Sequence, residues 1–489
     1  MTTQQTNHQV TVYAGGNWIE TDESSSVLDL ADGGTIADVA SATPADARGA
    51  LAAATDVEAT MCRTSVVERA RWCEAIAEGV TERQAELAEI IVREAGKPIA
   101  SARSEVESTV ERFRRAADEA RLIASNGEYR EGFTTGHEGW QSIVKPEPIG
   151  TVLCITPYNY PLATAALQVA PALAAGNSVV LKPASAAPVS TAVLTEIVDD
   201  VDGVPDGAFN YVPGSGSVIG DVLAGDPRVD AIAMTGSSDA GRHIARESGI
   251  VTLHMELGGN APAIVFEDAD VRSVAESCAG GALKYAGQRC SAVSRILVDD
   301  AVHDELVARL DREMETWDVG PLFDDETAIG PLISEDHVDR VETLVDDAVS
   351  RGASLVRGGS RDPPIHAPAE LEPLYFQPTL LADVPPDARI LSEEQFGPIA
   401  AVTRFDDRSE AVDRANDSEL ALDAAVFTQA YERALEVADR LDAGCVRING
   451  APSHGLGDVP FGGNGDSGIG REGIDTSIHD LMRTKSIVL

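Results

Sequence analysis

The sequence predicts an α/β fold with parallel sheets, and two patterns support that prediction. Between Gly150 and Gly259, short apolar runs alternate with helical stretches, and after Asn260 a second alternation continues to about Ala443. The spacing leaves room for crossover helices, which join neighbouring parallel strands. Ligands of such sheets bind beyond the carboxyl ends of the strands, so residues at those ends are the first candidates for function.

The elements follow in chain order. From about Pro44 to Ser125 apolar residues recur at spacings of three and four, which predicts helix. Within "RWCEAIAEGVTERQAELAEIIVREAG" no break is expected until Gly96 ends it. The segment "GWQSIVKPEPIG" is expected to be extended. Strands are then predicted in "TVLCITP", "SVVLKPAS", "FNYVPG", "AIAMTGSS" and "VTLHMELGG", and later in "APAIVFED", "SRILVDD" and "IAAVTRFDD". A glycine-rich loop precedes a short terminal strand, "TKSIVL".

The composition excludes several classes of protein. The 489 residues include 80 acidic and 38 basic ones, a formal net charge of −42, which would repel nucleic acid and anionic membranes. Only five residues are lysine; a salt-rich, halophilic cytosol favours such a composition, and an acidic enzyme from low salt is the alternative. The six cysteines form no CxxC pair, so we expect neither disulfides nor a metal site. The chain shows no signal peptide or membrane span, so we expect a cytoplasmic protein.

A glycine-rich turn follows one predicted strand. In "AMTGSSDAG", Gly236 and Ser237 directly follow the strand, and Gly241 comes slightly later. Backbone N–H groups and the positive end of the next helix suit a phosphate at such a turn, although many such turns bind nothing. The pattern departs from G-x-G-x-x-G, so an ordinary Rossmann site is not predicted.

Three polar side chains lie at or near strand ends. Lys182 could bind a nucleotide ribose or phosphate, or it could be a solvated lysine. Glu256 is either a general base with a pKa raised by burial or a structural cap. Asn159 in "TPYNYPL" is either an oxyanion donor or a turn residue.

Cys290 lies in "KYAGQRCSAV". The preceding glycine and glutamine argue against a plain core position, and Arg289 would favour the thiolate, a soft nucleophile for a carbonyl carbon. A buried, inert cysteine also fits this local pattern, so the pattern alone leaves both interpretations open.

Seven segments, taken in order, resemble the aldehyde dehydrogenase superfamily. They are "TPYNYPL", "LKPAS", "MTGSSDAG", "MELGGNAPAIV", "GQRCSAV", "EEQFGPIAAV" and "PFGGNGDSGIGREG", and the match extends from about Val12 to Leu489. The chain is most similar in style to non-phosphorylating glyceraldehyde-3-phosphate and lactaldehyde dehydrogenases. The resemblance implies a Rossmann-like NAD(P)-binding domain (1–125, 149–256 and 446–468), an α/β catalytic domain (257–445) and a small β oligomerisation arm (126–148 and 469–489).

The resemblance also implies roles for individual residues. Cys290 matches the catalytic nucleophile, Glu256 the general base, and Asn159 the side-chain oxyanion donor. NADP or NAD is the implied cofactor. The residues that match its contacts are Lys182 and Glu394 at the two riboses, Phe396 near the nicotinamide, Gly236 with Ser237 at the pyrophosphate, and Thr156, Pro157, Ser185 and Gly241 along the same site.

The implied reaction oxidises a small aldehyde to its carboxylic acid. The Cys290 thiolate adds to the carbonyl carbon, hydride passes to the nicotinamide, and water activated by Glu256 hydrolyses the resulting thioester. Relatives that transfer the acyl group to coenzyme A generally lack this glutamate, so hydrolysis is favoured. A non-catalytic nucleotide-binding relative would be expected to have lost Cys290, Glu256 or Asn159, and all three are present.

Several positions bear on specificity. NAD-preferring relatives commonly have glutamate where this chain has Ser185, so NADP is expected to be accepted. Tyr160, Arg289 and His454 are expected at the substrate. However, His454 replaces one arginine of the glyceraldehyde-3-phosphate enzymes, and another expected near Ser108 is missing. One arginine of three would compensate a phosphate dianion poorly, which favours a small hydroxy- or phospho-aldehyde over glyceraldehyde 3-phosphate itself.

The resemblance finally implies assembly. The "TKSIVL" strand and the "GWQSIVKPEPIG" segment are expected to form the arm by pairing across subunits. A homodimer and a homotetramer are both compatible with the sequence.

Overall fold

The computed structural model describes residues 8–123, 127–365, 367–453 and 459–489. The first part of the chain contains short strands, four successive helices and two further strands. These are β1 His8–Val10, β2 Val12–Ala14, β3 Asn17–Ile19, β4 Ser24–Leu28, β5 Thr35–Ala40, α1 Pro44–Arg63, α2 Val66–Glu82, α3 Gln84–Ala95, α4 Ile99–Ile123, β6 Glu128–Glu131 and β7 Gln141–Pro148.

Local sequence signals explain where these helices begin and end. The side chains of Thr43 and Ser65 each accept a backbone N–H three residues later, and so cap α1 and α2. The expected unbroken helix is interrupted at Arg83, which lies between α2 and α3. Gly96 ends α3 with a φ of 66°, as predicted, because glycine adopts this left-handed conformation without strain.

The next part of the chain forms the first sheet. Its elements are β8 Thr151–Ile155, α5 Pro161–Ala175, β9 Ser178–Lys182, α6 Val189–Asp199, β10 Phe209–Tyr211, α7 Gly216–Ala224, β11 Ala231–Thr235, α8 Ser238–Glu247 and β12 Thr252–Glu256. The strands pair in parallel in the order β12-β11-β8-β9-β10, as the alternation predicts. The β2–β3 hairpin extends one edge in antiparallel fashion. Helix α5 is buried on all sides, which accounts for its almost wholly apolar sequence.

The second alternation forms the second sheet. Its elements are β13 Ala261–Val265, α9 Val271–Leu283, a short 3-10 helix Lys284–Gly287, β14 Val293–Asp299, α10 His303–Met314, α11 Glu335–Arg351, β15 Ser354–Arg357, 3-10 turns at Glu372–Leu374 and Arg389–Leu391, β16 Thr379–Ala382, β17 Ile399–Phe405, α12 Arg408–Asn416, β18 Leu420–Ala421, β19 Asp423–Phe427, α13 Tyr431–Arg440 and β20 Cys445–Ile448. The strand order is β15-β16-β17-β14-β13-β19-β20. Only the pair β15–β16 of this sheet is antiparallel within the described residues.

The last part of the chain returns to the first sheet and then forms a third one. Its elements are β21 Asn464–Gly465, β22 Gly468–Ile469, α14 Ile474–Asp480 and β23 Met482–Val488. Strand β22 pairs with β12, which brings the chain back to the first domain. Strand β23 pairs along its whole length with β7, and β6 lies on the other side of β7.

Two segments near the end of the chain pair or pack with elements outside the domains predicted for them, and the domain boundaries stay a prediction. Strand β20 pairs in parallel with β19 in the second sheet, although residues 446–468 were expected in the cofactor domain. Helix α14 packs into the apolar core of the first domain through Ile474 and Ile478, although residues 469–489 were expected in the arm. Strand pairing holds the first segment and apolar packing holds the second, and composition shows neither kind of contact.

Each large sheet has its own apolar core. The first core includes Phe113 and Tyr211, and the second includes Phe376 and Phe427. No helix in the described ranges is both long and apolar enough to cross a membrane.

Candidate active site

The carboxyl ends of the first sheet bring several predicted residues to one edge. Thr156 and Pro157 directly follow β8, Lys182 ends β9, Gly236 follows β11 and Glu256 ends β12. Strands β8 and β11 are neighbours in the sheet although β9 and β10 lie between them in sequence. The strand order therefore reverses beside Thr156 and Gly236, and open α/β sheets bind ligands at such a point.

A cavity of about 580 Å³ opens at this edge, and residues of both domains line it. The predicted site residues in its wall are Thr156, Pro157, Asn159, Tyr160, Gly236, Ser237, Glu256, Arg289, Cys290, Glu394 and Phe396. Lys182, Ser185 and Gly241 lie outside this wall. His454 lies outside the described residues.

Cys290 faces this cavity as a thiol that is hard to ionise. Burial raises the pKa of Cys290 well above its ordinary value, and the charges of Glu256 and Asp423 raise it further. The structure thus differs from the expectation that Arg289 favours the thiolate. The Arg289 guanidinium instead donates a hydrogen bond to the carbonyl oxygen of Gly281, at 2.7 Å. Cys290 therefore needs a nearby group that removes its proton when it reacts.

Glu256 is the acidic group suited to that task. Its side chain is 2% exposed, and its Oε1 has no hydrogen-bond partner among the described residues. Burial raises the pKa of Glu256 well above its ordinary value, and the charge of Glu472 raises it further. A poorly solvated carboxylate is a stronger base than an exposed one, so Glu256 can accept a proton from a thiol or a water molecule.

Asn159 is held by Gln288, a residue that no motif of the sequence indicated. Asn159 is 6% exposed, and its Nδ2 donates a hydrogen bond to the carbonyl oxygen of Gln288, at 2.9 Å. The Gln288 side chain is itself buried, and its Oε1 accepts hydrogen bonds from the Ile333 N–H at 3.0 Å and the Tyr158 hydroxyl at 3.2 Å. A primary amide has two N–H groups, so Asn159 keeps a second donor for a ligand.

The cavity wall also carries cationic side chains. Arg112, one turn beyond Ser108 on α4, lines the cavity together with Lys284 and Arg289. Burial lowers the pKa of Lys284, and the charge of Arg289 lowers it further. Neither Lys284 nor Arg289 forms an ion pair with a carboxylate in the part of the chain that the structure describes. Tyr160 lines the same cavity.

The end near the first sheet fits a dinucleotide cofactor. The Oγ1 of Thr156 is buried without a hydrogen-bond partner in the described ranges. A Cβ at Gly258 would approach Glu394 Oε2 and Ser238 Oγ to 3.0 Å, so glycine lets the backbone pass close to both groups. Glu394 Oε1 accepts a hydrogen bond from the Gly259 N–H at 2.9 Å, and burial raises the pKa of Glu394 to about 7. Ribose hydroxyl groups would form hydrogen bonds with the Oγ1 of Thr156 and with the Glu394 oxygen that the Gly259 N–H does not contact.

Two further residues at this end have defined local geometry. Ser237 caps α8, because its side chain accepts the Ala240 N–H at 3.3 Å. Phe396 has a φ of 50°, an uncommon value for a non-glycine residue, and its ring stands edge-on to Tyr158 and His337. Both contacts fix the ring at the cavity wall.

The three predicted residues outside the wall have different surroundings. Burial lowers the pKa of Lys182 to about 8. Ser185 is exposed, and its hydroxyl donates a hydrogen bond to a backbone carbonyl at 3.0 Å. A Cβ at Gly241 would approach the Leu257 side chain to 2.5 Å, so this glycine allows α8 to pack closely against the sheet.

The fold and the site define an α/β enzyme in which one cavity joins a strand-end ligand site to a cysteine, a carboxyl group and an amide. The sequence model of the aldehyde dehydrogenase family matches residues 18–487. The chain is 34% identical to the lactaldehyde dehydrogenase of Methanococcus aeolicus over 91% of this chain and 92% of that protein. It is 35% identical to the NADP-dependent succinate-semialdehyde dehydrogenase of Escherichia coli over 96% of this chain and 95% of that protein.

A solved structure agrees with these matches. The crystal structure of the NADP-dependent glyceraldehyde-3-phosphate dehydrogenase from Bacillus halodurans, complexed with NADP, has a TM-score of 0.94 and 35% identity over 99% of both chains. The chain belongs to the aldehyde dehydrogenase family. It is an NAD(P)-dependent aldehyde dehydrogenase with the α/β fold of that family, which confirms the predicted family, fold class, enzyme class and cofactor.

Proposed function

We propose that this enzyme oxidises a small aldehyde carrying an anionic group to the corresponding carboxylic acid. The observation that supports this is the pair Lys284 and Arg289, which line the same cavity as Cys290 and form no close ion pair with a carboxylate within the described residues. The chain has 80 acidic and 38 basic residues, so two cations without a close ion pair in the cavity of the nucleophile favour an anionic ligand. Succinate semialdehyde and glyceraldehyde 3-phosphate, named for two relatives, are anionic, whereas lactaldehyde, named for a third, is neutral.

Cys290 is the proposed nucleophile. Its thiol proton passes to Glu256, because the two raised pKa values disfavour two adjacent negative charges in one buried space. The thiolate adds to the aldehyde carbon and forms a carbon–sulfur bond. The oxyanion that results accepts hydrogen bonds from the second N–H of Asn159 and from the backbone N–H of Cys290.

The strand-end part of the cavity is the proposed cofactor site. NADP or NAD, when bound there, supplies the acceptor for the hydride that the aldehyde carbon loses. The residues proposed to hold it are Lys182 and Glu394 at the riboses, Gly236 and Ser237 at the pyrophosphate, Phe396 beside the nicotinamide, and Thr156 and Pro157 along the wall, with Gly241 supporting the turn.

Glu256 has a second proposed role after oxidation. Once the proton taken from Cys290 has passed to solvent, Glu256 is a carboxylate again and removes a proton from a water molecule, which attacks the thioester carbon. The carbon–sulfur bond then breaks, the Cys290 sulfur takes the proton from Glu256, and the carboxylic acid leaves. Hydrolysis of the thioester requires this base, whereas transfer of the acyl group to coenzyme A does not. Glu256→Gln therefore distinguishes hydrolysis from transfer to coenzyme A.

Ser185 supports the use of NADP. No carboxylate occupies this exposed position, so a 2′-phosphate would meet no repulsion from it. Burial lowers the pKa of Lys182 to about 8, and an anion nearby would favour the charged form. We propose that NADP is accepted at least as well as NAD.

The third sheet is the proposed site of assembly. Strands β6, β7 and β23 form this sheet, and most of their residues are exposed in the single chain. The exposed Tyr129, Ile143 and Ile487 give it apolar surface. A homodimer or homotetramer would cover this surface.

The experiment that tests the substrate class compares two aldehydes of equal length, one ending in a carboxylate and one in a methyl group, in concentrated KCl. Lys284→Met is expected to raise KM for the carboxylate aldehyde about 10- to 100-fold, because a hydrogen bond to a charged group contributes about 1.5–3 kcal/mol. KM for the neutral aldehyde is expected to stay within about twofold.

Arg272→Met is the matched control, since it removes an exposed cation that pairs with Glu276 on α9. It is expected to change neither KM. A wild-type enzyme that prefers the neutral aldehyde would overturn the proposed substrate class.

A further inference from the structure

A buried lysine lies behind the wall of the active site. Lys97, in the turn between α3 and α4, is 0% exposed. Its ammonium nitrogen lies 3.6 Å from the ring centroid of Tyr160 and 4.5 Å from that of Tyr285. It also forms an ion pair with Glu105, which is equally buried. An ammonium group held by two aromatic rings and one carboxylate has little freedom to move.

Glu105 connects this lysine to the segment that carries Asn159. The Glu105 Oε1 accepts hydrogen bonds from the N–H groups of Leu162 at 3.1 Å and Ala163 at 3.2 Å, in the first turn of α5. No side-chain cap of its own satisfies the start of α5. Glu105 of α4 therefore caps α5 from outside, and its negative charge favours the positive end of that helix. The segment with Asn159 leads directly into this first turn.

Tyr285 connects the lysine to the segment that carries Cys290. The Tyr285 hydroxyl donates a hydrogen bond to the carbonyl oxygen of Ala95 at 2.5 Å. Tyr285 and the following Ala286 have φ values of 56° and 52°, which are unfavourable for residues other than glycine. Such a backbone persists only where its surroundings hold it in place. The contacts with Lys97 and Ala95 provide that support just before Cys290.

We propose that Lys97 is a positioning residue that fixes the Asn159 segment relative to Cys290. The two segments meet directly through the hydrogen bond from Asn159 to the Gln288 carbonyl oxygen, and Lys97 holds the tyrosine beside each of them. Oxyanion donors act only when they are aimed at the developing charge, so a small shift between these segments lowers the rate. This inference rests on the roles proposed above for Asn159 and Cys290.

The position of Lys97 predicts which kinetic constant changes. The lysine contacts the elements around Asn159 and Cys290, whereas Thr156 and Gly236 at the cofactor end follow strands of the first sheet. Loss of the lysine is therefore expected to lower kcat and to leave KM for NADP nearly unchanged. If Lys97 only stabilised the fold, its loss would lower the yield of folded enzyme. The enzyme that did fold would then keep the wild-type kcat as well as the wild-type KM for NADP.

The decisive variant is Lys97→Met combined with Glu105→Gln. The double change removes both buried charges, and the glutamine oxygen still accepts the N–H groups of α5. Folded enzyme, measured by circular dichroism and NADP binding, is expected to show a kcat lowered about tenfold or more and a KM for NADP within about twofold of wild type. A folded double variant with wild-type kcat would overturn the proposal. Arg272→Met with Glu276→Gln, which removes an exposed ion pair on α9, is the matched control and is expected to retain wild-type kcat.

A second pair of variants gives an independent test, and decides the matter if the double variant does not fold. Tyr285→Phe keeps the ring against the ammonium, whereas Tyr285→Leu removes it. We expect kcat within about threefold of wild type for the first and a fall of about tenfold for the second. Equal kcat values for the two variants would contradict the role of the ring. Cys290→Ala is assayed alongside, because turnover by that variant would refute the proposed function irrespective of Lys97.

Discussion

The two ends of the active-site cavity are built in different ways. At the proposed cofactor end, Thr156 and Gly236 directly follow strands of the first sheet, and Glu394 and Phe396 join them from the second domain. The proposed substrate end consists of long side chains from separate elements: Arg112 from α4, Lys284 after α9, and Arg289 before the nucleophile. The proposed cofactor end therefore depends mainly on the sheet. At the proposed substrate end, substitution of a few side chains can change which ligand binds.

Substitution of the proposed nucleophile, Cys290, should have the largest effect on turnover. Cys290→Ala is expected to lower turnover by a factor of about 10⁴ or more, since loss of a nucleophile removes the whole covalent route. Both ends of the cavity stay intact, so NADP binding measured by fluorescence should be unchanged. Cys62→Ser, at an exposed cysteine on α1, is the control and should retain full turnover. Retained turnover in the Cys290 variant would contradict the assignment.

The next largest effect is expected at Asn159. Asn159→Ala removes one oxyanion donor and should lower kcat about 10²- to 10³-fold. KM for NADP should change little, because Asn159 does not follow a strand of the cofactor end directly. Steady-state kinetics with saturating NADP measures both constants. A change confined to KM for NADP would contradict the role of Asn159 as an oxyanion donor.

The pH dependence tests the coupling between Cys290 and Glu256. The negative charge of Glu256 raises the pKa of Cys290, so the thiolate forms only at higher pH. Glu256→Gln removes that charge, so the pKa of Cys290 should fall. The rate of iodoacetamide labelling at Cys290 should therefore reach half its maximum at lower pH than in the wild type. A shift of this midpoint to higher pH would contradict the assigned electrostatics.

The smallest effect is expected at the edge of the cofactor end. Ser185→Glu places a carboxylate at an exposed position, where solvent and salt screen charge. Repulsion of a 2′-phosphate should lower kcat/KM with NADP about tenfold, equivalent to about 1.4 kcal/mol, and leave kcat/KM with NAD nearly unchanged. Ser350→Glu adds the same charge at an exposed position on α11 and serves as the control. Equal losses with both cofactors would remove Ser185 from the site.

The same comparison explains what the sequence could predict. Gly236 and Glu256 follow or end buried strands, so the pattern of apolar runs located them at one edge of a parallel sheet. Gln288, Arg112 and Lys97 could not be located in this way. Their roles depend on contacts with residues far away in the chain, such as the Gln288 carbonyl that accepts from Asn159. Local spacing carries no signal for such contacts.

Electrostatics at the nucleophile shows a second limit of sequence reasoning. Arg289 stands directly before Cys290, and adjacency in sequence suggested that it favours the thiolate. In the structure its guanidinium bonds to the Gly281 carbonyl oxygen, and burial and two carboxylates govern the cysteine instead. The direction of a pKa shift depends on three-dimensional surroundings, which neighbouring residues in the chain do not specify.

In the proposed mechanism, Cys290 carries the acyl group and Glu256 releases it. The most direct test is intact-protein and peptide mass spectrometry of Glu256→Gln, mixed with the aldehyde and NADP at a pH high enough for Cys290 to ionise without this base. We expect one NADPH per active site and a stable acyl group on the peptide that contains Cys290. NADPH formation without an acyl group on that peptide, or continued turnover at the wild-type rate, would contradict this mechanism.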